Sequence, residues 1–524
     1  MRPAPWHPSI EWSAAERSIA QRVRRAKLFP FLRSIRHELF DDAFQEELAA
    51  LYKDSPLGQP PVPPAKLALT TILQAYTGAS DDEALEALLM DRRWQLVLDC
   101  LDTETTPFGK GTLVRFRQAL IAASLDRRLI ERTVAMAERD GGMAPRPLRV
   151  ALDSSPLWGA GRVEDTYNLL GHALRKAVSM IAVQQGWELA ATAERAGADN
   201  LFGSSLKASL DCDWDDPSAR QLALTTVLDV LTRVEALWTA ELGQPAETLR
   251  ALTVAQQIRA QDVVADPVGR PTLRQGVAKD RRVSSDDPEM RHGRKSRSQR
   301  FNGYKRHILR DLDSGIIRVV GVTAANAAEA TVTAALDDDL AAQGYGLLNL
   351  AELAIDRAYL SSRWVRDRPS TLEVICKAWP VRNGDRYPKT AFQLDWDAGT
   401  LRCPNQVTVP LKLGAVVHFP AAGCAACPLR ERCTTSPRGR GVTIHREEPL
   451  LTELRARQLT PIGREKLRER VAVEHGLAHI GQWQGKRARY RGQRKNLFDL
   501  RRTAVVFNLH LLLAGRSKTQ HRAA

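Results

Sequence analysis

Two aspartates each follow a short apolar run that is typical of a buried β-strand. Asp153 comes directly after the run 150–152, and Asp356 comes directly after the run 346–355. A strand end holds a carboxylate on rigid backbone at the rim of a sheet, where ligands of α/β folds usually bind. Asp153 has a second interpretation, because an aspartate before Ser-Ser-Pro is also typical of a turn.

Two carboxylates at strand ends of one sheet repel each other unless a proton or a cation separates them. Carboxylate ligands favour Mg²⁺ or Mn²⁺ over zinc. A pair of such ions activates an attacking oxygen and stabilises the leaving oxygen in phosphoryl transfer. Asp153 and Asp356 therefore predict metal-dependent phosphodiester chemistry. The predicted cofactor is a pair of Mg²⁺ or Mn²⁺ ions.

A third acid is expected from a helix predicted over residues 461–479. One apolar face at helical spacing carries Leu467, Val471, Glu474 and Ala478. An acid on a buried face needs a charged partner or a metal, so this spacing favours Glu474 as the third ligand. Glu469 lies about 140° around the same helix and is predicted to face solvent, as is Glu465.

Four of the seven cysteines lie within residues 403–433. Cys424 and Cys427 have CxxC spacing, Cys433 follows six positions later, and Cys403 precedes all three. Four thiolates suit a closed structural zinc site that stabilises a small segment with little core of its own. The spacing after the CxxC pair is unusual for zinc. Reduced structural thiols are therefore an equally open interpretation, and a redox function is a minor one.

The chain has 524 residues and a formal net charge of +15. This length exceeds one compact core and predicts about three or four domains. The positive surplus favours a polyanionic partner, nucleic acid before a membrane. The first residues lack the apolar segment of a signal peptide, and the most apolar run, 504–515, is too short to span a membrane. We therefore expect a cytoplasmic protein that associates with the nucleoid when it is bound to DNA.

The elements that must position the acids begin with helices, which are predicted through most of the first 145 residues. One helix starts at Pro64, which a first helical turn tolerates, and stops at Gly78. The next opens with the capping-box pattern of Ser80 and Glu83. Thr112 is predicted to cap a third helix after a glycine-rich loop.

Arg115 and Arg117 lie near the start of that third helix. Short helices on tight turns, with arginines at such positions, suit a helix-turn-helix contact with DNA. A helical bundle that packs on a neighbouring domain fits the same pattern, because two arginines are too few to decide between the two interpretations.

A long helical segment follows the first aspartate. Residues 160–280 keep a helical character, and we interpret them as an insertion into the scaffold of strands. Trp158 lies just before this segment and Trp187 lies within it. Both are interpreted as core residues and not as platforms for stacking bases.

Residues 290–300 contain glycine, serine and basic residues with almost nothing to bury. We therefore expect a flexible, exposed loop. Its arginines and lysine neutralise phosphates without ordering a fold around them. The side chains predicted to do so are Arg294, Lys295 and Arg297.

Residues 301–310 and 316–323 alternate as two strands, which predicts a β-hairpin with basic residues at one end. A helix over 325–340 comes next. The order is completed by the strand that leads to Asp356, another helix and a strand over 371–379. This order indicates an α/β fold in which helices flank a mixed sheet.

The segment 483–502 is basic and carries Tyr490 and Phe498 between its charges. Such a segment binds a nucleic-acid backbone and stacks on distorted bases. A solubilising tail is an alternative, although the apolar residues predict that the segment ends in a packed helix. The residues of this segment that are expected to contact DNA are Lys486, Arg487 and Arg491.

These segments together resemble a DDE transposase of the IS1182-like group, within the broader IS4/IS5-type set of insertion-sequence transposases. The resemblance covers residues 40–515 and includes an N-terminal helical region. Its motifs are Asp153, the Gly303-Tyr-Lys305 segment that opens the hairpin, Ala325-Asn326 after it, Asp356 with Arg357-Ala-Tyr359, and Arg470-Val-Ala-Val-Glu474.

The resemblance implies an RNase H-like mixed sheet with flanking helices, a helical insertion, a small Cys-rich insert and an all-helical N-terminal domain. It implies that Asp153, Asp356 and Glu474 are the catalytic acids and hold Mg²⁺. The implied activity is DNA cleavage and strand transfer by a homo-oligomer on terminal inverted repeats and target DNA. The residues expected to bind that DNA are Arg115, Arg117, Arg294, Lys295, Arg297, Lys305, Arg470, Lys486, Arg487 and Arg491.

The late motif departs from the pattern of this set, which runs Tyr, two residues, Arg, three residues, Glu, six residues, Lys. Arg470 and Glu474 keep their spacing, whereas Leu467 stands at the tyrosine position and Gly481 at the lysine position. Lys486 or its neighbour is expected to take over the phosphate-binding role of that lysine.

Four regions are predicted. They are an N-terminal helical, DNA-binding domain (1–145), a catalytic core with the helical insertion (146–394), a Cys-rich insert (395–450) and C-terminal core helices with Glu474 and the basic segment (451–524).

Two other functions would use part of these features. A structure-selective nuclease would use the same acids without strand transfer, and a catalytically silent DNA-binding derivative would keep only the basic segments.

Overall fold

The computed structural model describes residues 2–54, 59–101, 103–140, 146–203, 206–241, 246–296 and 298–523. Its N-terminal part is helical, as the sequence predicts. The helices that precede the first strand in this described part are α1 (Ala14–Arg22), α2 (Leu28–Leu39), α3 (Asp42–Ala49), α4 (Pro64–Thr77), α5 (Asp81–Met90), α6 (Arg92–Leu98), α7 (Lys110–Ala122) and α8 (Asp126–Asp140).

The predicted ends of α4 and the predicted start of α5 are confirmed. Pro64 opens α4, and Gly78 ends it with a left-handed backbone at φ 82°, a conformation that glycine adopts without strain. Ser80 and Glu83 form the capping box of α5, in which each side chain accepts a hydrogen bond from the backbone N–H of the other. Local sequence signals therefore set these helix ends.

The start of α7 differs from the prediction. The helix begins at Lys110, before Thr112, and the extended backbone of Gly109 precedes it without a side-chain cap. The ammonium group of Lys110 pairs with Asp82 of α5 at 2.6 Å. The predicted cap at Thr112 is therefore wrong, because the loop leads into the helix three residues earlier, with Gly109 at the cap position.

The first strand, β1 (Leu148–Trp158), extends well past the predicted run 150–152. Asp153 and Pro156 lie inside it, so Asp153 neither ends the strand nor caps a turn.

The helical insertion follows β1 and has a hydrophobic core of its own. Leu170, Leu174 and Leu231 are among the residues fully buried in that core. The elements of the insertion are α9 (Thr166–Gln185), α10 (Leu189–Ala196), α11 (Leu206–Ser209), α12 (Pro217–Glu241), α13 (Ala246–Asp262) and the small hairpin of β2 (Val263–Ala265) and β3 (Pro271–Leu273).

The remaining strands of the main sheet follow the insertion. Two short helices lie between them, α14 (Val332–Ala341) before the fourth of these strands and α15 (Arg363–Arg366) after it. The strands are β4 (Arg291–Arg294), β5 (Arg300–Asp311), β6 (Ile317–Ala324), β7 (Leu350–Ile355) and β8 (Glu373–Ile375).

The hairpin of β5 and β6 confirms the prediction. The flexible loop predicted over 290–300 is wrong, because β4 pairs antiparallel with β5 from Arg291 opposite Gly303 to Arg294 opposite Arg300. Backbone pairing does not require buried side chains, so a charged sequence forms an edge strand here.

The Cys-rich region forms two small sheets around a core that includes Leu401, Phe419 and Val442. Its elements are β9 (Gln393–Asp395), β10 (Thr400–Arg402), β11 (Thr408–Pro410), β12 (Val416–His418), α16 (Ala421–Ala425) and β13 (Gly441–Thr443).

The chain then continues as helices. The one helix predicted over 461–479 is two helices that meet at Arg470, which ends the first and precedes the second. The C-terminal helices are α17 (Glu448–Arg457), α18 (Pro461–Glu469), α19 (Val471–Gln484) and α20 (Gln493–Ala523).

The main sheet has the strand order β4-β5-β1-β7-β8, and β6 also pairs with β5. β5 runs antiparallel to β1, whereas β7 and β8 run parallel to it. β5 accompanies β1 as far as Trp158, but β7 pairs with it only from Leu148 to Leu152. This arrangement confirms the predicted mixed sheet and is that of an RNase H-like fold.

Successive residues of β1 face two different hydrophobic cores. Ala151 packs in one core with Val473 of α19. Val150 and Leu152 pack in the other core with helices α14, α15 and α17. Asp153 has the same orientation as Ala151, so its carboxylate lies on the side of the sheet that α19 covers.

The core beneath α19 also contains residues of the N-terminal helices and of α20, among them Leu69, Phe116 and Leu509. The N-terminal helices therefore pack directly on the main sheet and its C-terminal helices. Among the described residues, no helix is both long and apolar enough to span a membrane.

Candidate active site

The register of two parallel strands sets Asp153 and Asp356 side by side. Leu152 of β1 pairs with Ile355 of β7, so the two aspartates occupy the next position on neighbouring strands. Strands in a sheet lie about 4.8 Å apart, and equivalent positions of a parallel pair point to the same face. Both carboxylates therefore lie where the β1–β7 pairing ends, on the side that α19 covers.

Asp153 is half-buried and held by two donors. Its Oδ1 accepts a hydrogen bond from Ser154 N at 2.7 Å, and its Oδ2 accepts one from the guanidinium of Arg470 at 2.9 Å. Burial raises the pKa of Asp153, and the charge of Asp356 adds to this rise, whereas the Ser154 N–H and Arg470 oppose it. A positive charge at this position therefore stabilises the ionised carboxylate.

Asp356 is exposed and caps a single 3₁₀ turn, Arg357–Tyr359. Its Oδ1 accepts a hydrogen bond from Arg357 N at 2.7 Å, and its backbone oxygen accepts one from Tyr359 N at 3.0 Å. The helix predicted after Asp356 is this short turn, and α15 starts only at Arg363. The turn fixes the carboxylate at the end of β7.

Arg470 links the third predicted acid to the first. Its guanidinium donates to Asp153 Oδ2 at 2.9 Å and to Glu474 Oε1 at 2.5 Å. The fold thus brings Asp153, Asp356 and Glu474 to one end of the sheet, with a guanidinium between two of them.

The apolar helical face from which Glu474 was predicted is nevertheless not formed. The break at Arg470 interrupts the predicted apolar face, and Val471, Glu474 and Ala478 are exposed. Glu474 reaches Arg470, and through it Asp153, because it lies in the first turn of α19, directly after Arg470 at the start of that helix. The residues that α19 buries are Val473, Gly476, Leu477, Ile480 and Gln484.

Glu469 also contacts the sheet, contrary to the prediction that it faces solvent. It forms an ion pair with Arg149 of β1, four residues before Asp153. The angle of about 140° between Glu469 and Glu474 applies to one continuous helix, and the break at Arg470 removes that condition. The two glutamates therefore lie beside different positions along β1, Glu469 beside Arg149 and Glu474 nearer to Asp153. Glu465 is exposed, as predicted.

Within the described ranges, no group of three His, Cys, Asp or Glu residues is arranged to hold a metal ion. At the sheet edge, the guanidinium of Arg470 lies between Asp153 and Glu474. The donor set still fits a hard divalent cation in its chemistry, because Asp153, Asp356 and Glu474 offer only carboxylate oxygens. The half-buried Asp153 also requires a positive partner.

A buried histidine that the sequence analysis did not single out lies next to these strands. His307 of β5 pairs with Ser154 of β1 in the antiparallel ladder. Its Nδ1 lies 2.7 Å from the Tyr359 hydroxyl, and its Nε2 lies 2.9 Å from Thr323 Oγ1. Burial lowers the pKa of His307 to about 3, so the ring is neutral at physiological pH. Its position in a basic strand gave no signal of this burial.

The residues predicted to bind DNA differ in exposure and in the partners that they have within the protein. Arg117 is buried and forms a bidentate pair with Asp81, at 2.7 and 2.8 Å. Lys305 donates to the backbone oxygen of Ala327 at 2.9 Å. Both therefore stabilise the fold, contrary to the expectation for them. Arg470 lies among the acids, and Arg297 lies outside the described residues. The exposed members are Arg115, Arg294, Lys295, Lys486, Arg487 and Arg491. Of these, Arg487 also donates to the backbone oxygens of Gly159 and Ala160, and Arg491 pairs with Asp286 at 3.3 Å.

The interpretation of Trp158 as a core residue is wrong. It ends β1 with 40% of its surface exposed, and its ring meets that of the buried Phe301 at 6.1 Å between ring centroids. Trp187 is half-buried against the core of the insertion, where the guanidinium of Arg195 covers its ring at 4.1 Å.

The four clustered cysteines line one small apolar cavity together with Phe419 and other residues of the Cys-rich region. All four are free thiols. Burial raises the pKa of Cys433, and the other three thiols add to this rise, whereas Arg440 opposes it. The fold thus brings together the cysteines that the sequence grouped. They are Cys403, Cys424, Cys427 and Cys433.

Three parts of the chain match protein families. Residues 18–119 match a family described as Transposase domain (DUF772), and residues 269–373 and 403–513 match two families that are both described as Transposase DDE domain. The matched ranges include Asp356 and Glu474, whereas Asp153 lies outside them. Neither a curated protein nor a solved structure gives a significant match.

Three transposase families matched along one chain with an RNase H-like sheet make this protein a DDE transposase, of the class of enzymes that cleave DNA and transfer its strands. The combination of these three domains is characteristic of the IS1182 family of transposases.

Proposed function

We propose that this transposase cuts DNA at the ends of its own insertion sequence and joins those ends to target DNA, with Asp153, Asp356 and Glu474 as its catalytic acids. The observation that carries the proposal is the register of β1 and β7, which sets Asp153 beside Asp356. The link from Asp153 through Arg470 to Glu474 supports the third assignment.

When bound, a pair of Mg²⁺ or Mn²⁺ ions supplies an activated attacking oxygen and a stabilised leaving oxygen. The residues that would hold these ions are the three acids. Asp153 and Asp356 offer their oxygens from rigid strand positions, and Glu474 offers its oxygens from the first turn of α19. Cleavage and joining are the same in-line displacement with water or a DNA 3′-hydroxyl as the nucleophile, so one set of acids serves both steps.

Arg470 is the proposed contact for the DNA backbone nearest to the acids. Its guanidinium lies 2.9 Å from Asp153, so a phosphate that reaches the carboxylates also reaches this cation. Exposed basic side chains on α7, on β4 and in the segment that precedes α20 extend the proposed DNA surface. The proposed partners are the terminal inverted repeats and target DNA, which a homo-oligomer would hold together.

We also propose a structural zinc ion in the Cys-rich region. The support is the common cavity lined by the four cysteines, together with the small core that surrounds it. Thiolates are the ligands that structural zinc prefers, and a small fold with a limited core gains stability from such an ion. The thiols would have to converge further to coordinate it, because none of the described residues form a metal-holding group.

The test of the catalytic assignment replaces each aspartate with asparagine. Asp153→Asn and Asp356→Asn should each lower cleavage of element-end DNA in Mg²⁺ by about a thousandfold or more, because an ion contributes several kcal/mol to the transition state. Binding to the same DNA should stay within several-fold of wild type. Cleavage is measured on labelled DNA, and binding by mobility shift.

Asp313→Asn is the matched control, because Asp313 pairs with Arg149 near the start of β1, away from the three acids. It should cleave at close to the wild-type rate. Near wild-type cleavage by Asp153→Asn or Asp356→Asn would remove that residue from the ion-binding set. An assay for joined products separates transposition from a nuclease that cuts without strand transfer.

A further inference from the structure

A chain of hydrogen bonds crosses the sheet next to the two aspartates. It runs from Thr323 on β6 through His307 on β5 to Tyr359, in the turn after β7, with distances of 2.9 and 2.7 Å. His307 is fully buried, and the rings of His307 and Tyr359 meet edge to face at 6.0 Å between centroids. The link between His307 and Tyr359 therefore lies in the interior, where a hydrogen bond is lost only at a high free-energy cost, and the link to Thr323 is partly buried.

This chain passes over β1 at the residue that follows Asp153. In the sheet order, β1 lies between β5 and β7, and His307 is the register partner of Ser154. Ser154 also interacts with the Tyr359 hydroxyl. Successive residues of a strand point to opposite faces of the sheet. The network therefore lies on the face opposite to the one that α19 covers, and the Asp153 carboxylate lies on the face that α19 covers.

The same tyrosine ends the turn that Asp356 begins. Tyr359 N donates to the backbone oxygen of Asp356 at 3.0 Å. The tyrosine ring is packed in the core on the rear face, with Leu152 and Ile355, the residues that precede the two aspartates. Asp356 itself is exposed, so the anchor of its turn is the buried end at Tyr359.

We propose that Tyr359 and His307 are positioning residues, which hold the turn of Asp356 against the strand of Asp153 from the face opposite to the carboxylates. This inference rests on the proposed function, because it concerns the spacing of the two acids that would bind the ions. Neither side chain touches the reacting atoms. Burial holds His307 neutral, so it accepts one hydrogen bond and donates another without bringing a positive charge next to the acids.

Mn²⁺ titration calorimetry and thermal denaturation of the purified, DNA-free protein test the proposal. Tyr359→Phe keeps the ring and removes the hydroxyl. Its Mn²⁺ dissociation constant should rise by about tenfold or more, since losing a residue that orients a ligand lowers metal affinity by roughly 10–100-fold. Raised Mn²⁺ should restore DNA cleavage by this variant, whereas it should not restore cleavage by Asp356→Asn.

Tyr345→Phe is the matched control, because it removes a tyrosine hydroxyl that donates to Glu138 at 2.9 Å. This variant should keep the wild-type Mn²⁺ affinity. At position 307, His307→Gln keeps a donor and an acceptor and should retain more affinity than His307→Leu.

Wild-type Mn²⁺ affinity in folded Tyr359→Phe would overturn the inference while leaving the proposed function intact. A wild-type protein that binds no Mn²⁺ would instead overturn the proposed role of the acids. If Tyr359→Phe does not fold, Thr323→Val tests the other end of the chain, and unchanged Mn²⁺ affinity in that variant would overturn the inference equally.

Discussion

Arg470 explains how acids from a strand and a helix approach each other at one sheet edge. Carboxylates at short range repel, and burial adds a desolvation cost for Asp153. The guanidinium offsets both the repulsion and the desolvation cost, because it donates to Asp153 and to Glu474 at the same time. The arginine-glutamate spacing in the sequence therefore has a geometric meaning. It puts a cation at a helix start and an acid one turn later.

The two late glutamates give a matched pair of substitutions. Glu474→Gln should lower DNA cleavage by about a hundredfold or more, because it removes an oxygen donor proposed to hold an ion. Glu469→Gln should stay within a few-fold of wild type, since its carboxylate pairs with Arg149, four residues before Asp153. Both are measured as cleavage rates on element-end DNA in Mg²⁺.

Circular dichroism and melting temperature serve as controls for folding in both variants. The opposite ranking, with Glu469→Gln inactive and Glu474→Gln active, would move the third ligand to α18. The assignments of Asp153 and Asp356 would stand in that case, because they depend on the register of β1 and β7.

At the scale of elements, the Cys-rich region shows why a small fold needs support. Its two sheets have two and three short strands, and its buried core consists of Phe392, Leu401, Val417, Phe419, Val442 and Ile444. So small a core supplies little hydrophobic free energy, and an ion held by thiolates would add to it.

We expect about one zinc ion per chain in protein purified without added zinc. Cys424→Ser with Cys427→Ser should remove the ion and expose residues 395–450 to proteolysis, because the loops that carry the cysteines lose their common ligand. Elemental analysis measures the zinc, and limited digestion with mass spectrometry locates the cleavage.

Cys212→Ser is the control for this experiment, since Cys212 is a free thiol of the helical insertion. It should leave the zinc content unchanged. A folded, active protein that contains no zinc would leave the four cysteines as packing residues of the cavity that they line.

At the scale of the whole molecule, α20 joins the N-terminal helices to the catalytic sheet. Asp126 of α8 is fully buried and binds two arginines of α20, Arg494 and Arg501, each at 3.0 Å. Arg501 also binds Asp339 of α14 at 2.7 Å. Part of the basic C-terminal segment therefore holds the fold together, and only part of the positive surplus is available to DNA.

Asp126→Ala should lower the free energy of unfolding by about 3 kcal/mol or more, because it removes the fully buried carboxylate that Arg494 and Arg501 share and leaves the buried Arg501 with Asp339 alone. Asp313→Ala should lower it by less than about 1 kcal/mol, since Asp313 and its arginine partners are each roughly one-third exposed. Urea denaturation followed by circular dichroism measures both changes. Equal effects of the two substitutions would contradict the structural role of the ion pairs that Asp126 of α8 forms with Arg494 and Arg501 of α20.

The sequence by itself determined the features that depend on nearby residues. Pro64 with Gly78, and Ser80 with Glu83, set helix ends through their own backbone preferences and hydrogen bonds. The alternation over β5 and β6 identified the hairpin for the same reason, since side-chain period and turn chemistry are local. The α/β fold class followed from the order of such elements.

Pairing between distant segments was decided only by the tertiary structure. β1 continues to Trp158 because β5 accompanies it there, and the charged residues of β4 form a strand because β5 offers an edge. Arg117 is buried because Asp81 lies opposite, and His307 forms its hydrogen bonds with residues of two other elements. These outcomes depend on which distant groups meet, and a one-dimensional pattern of residue types does not contain that information.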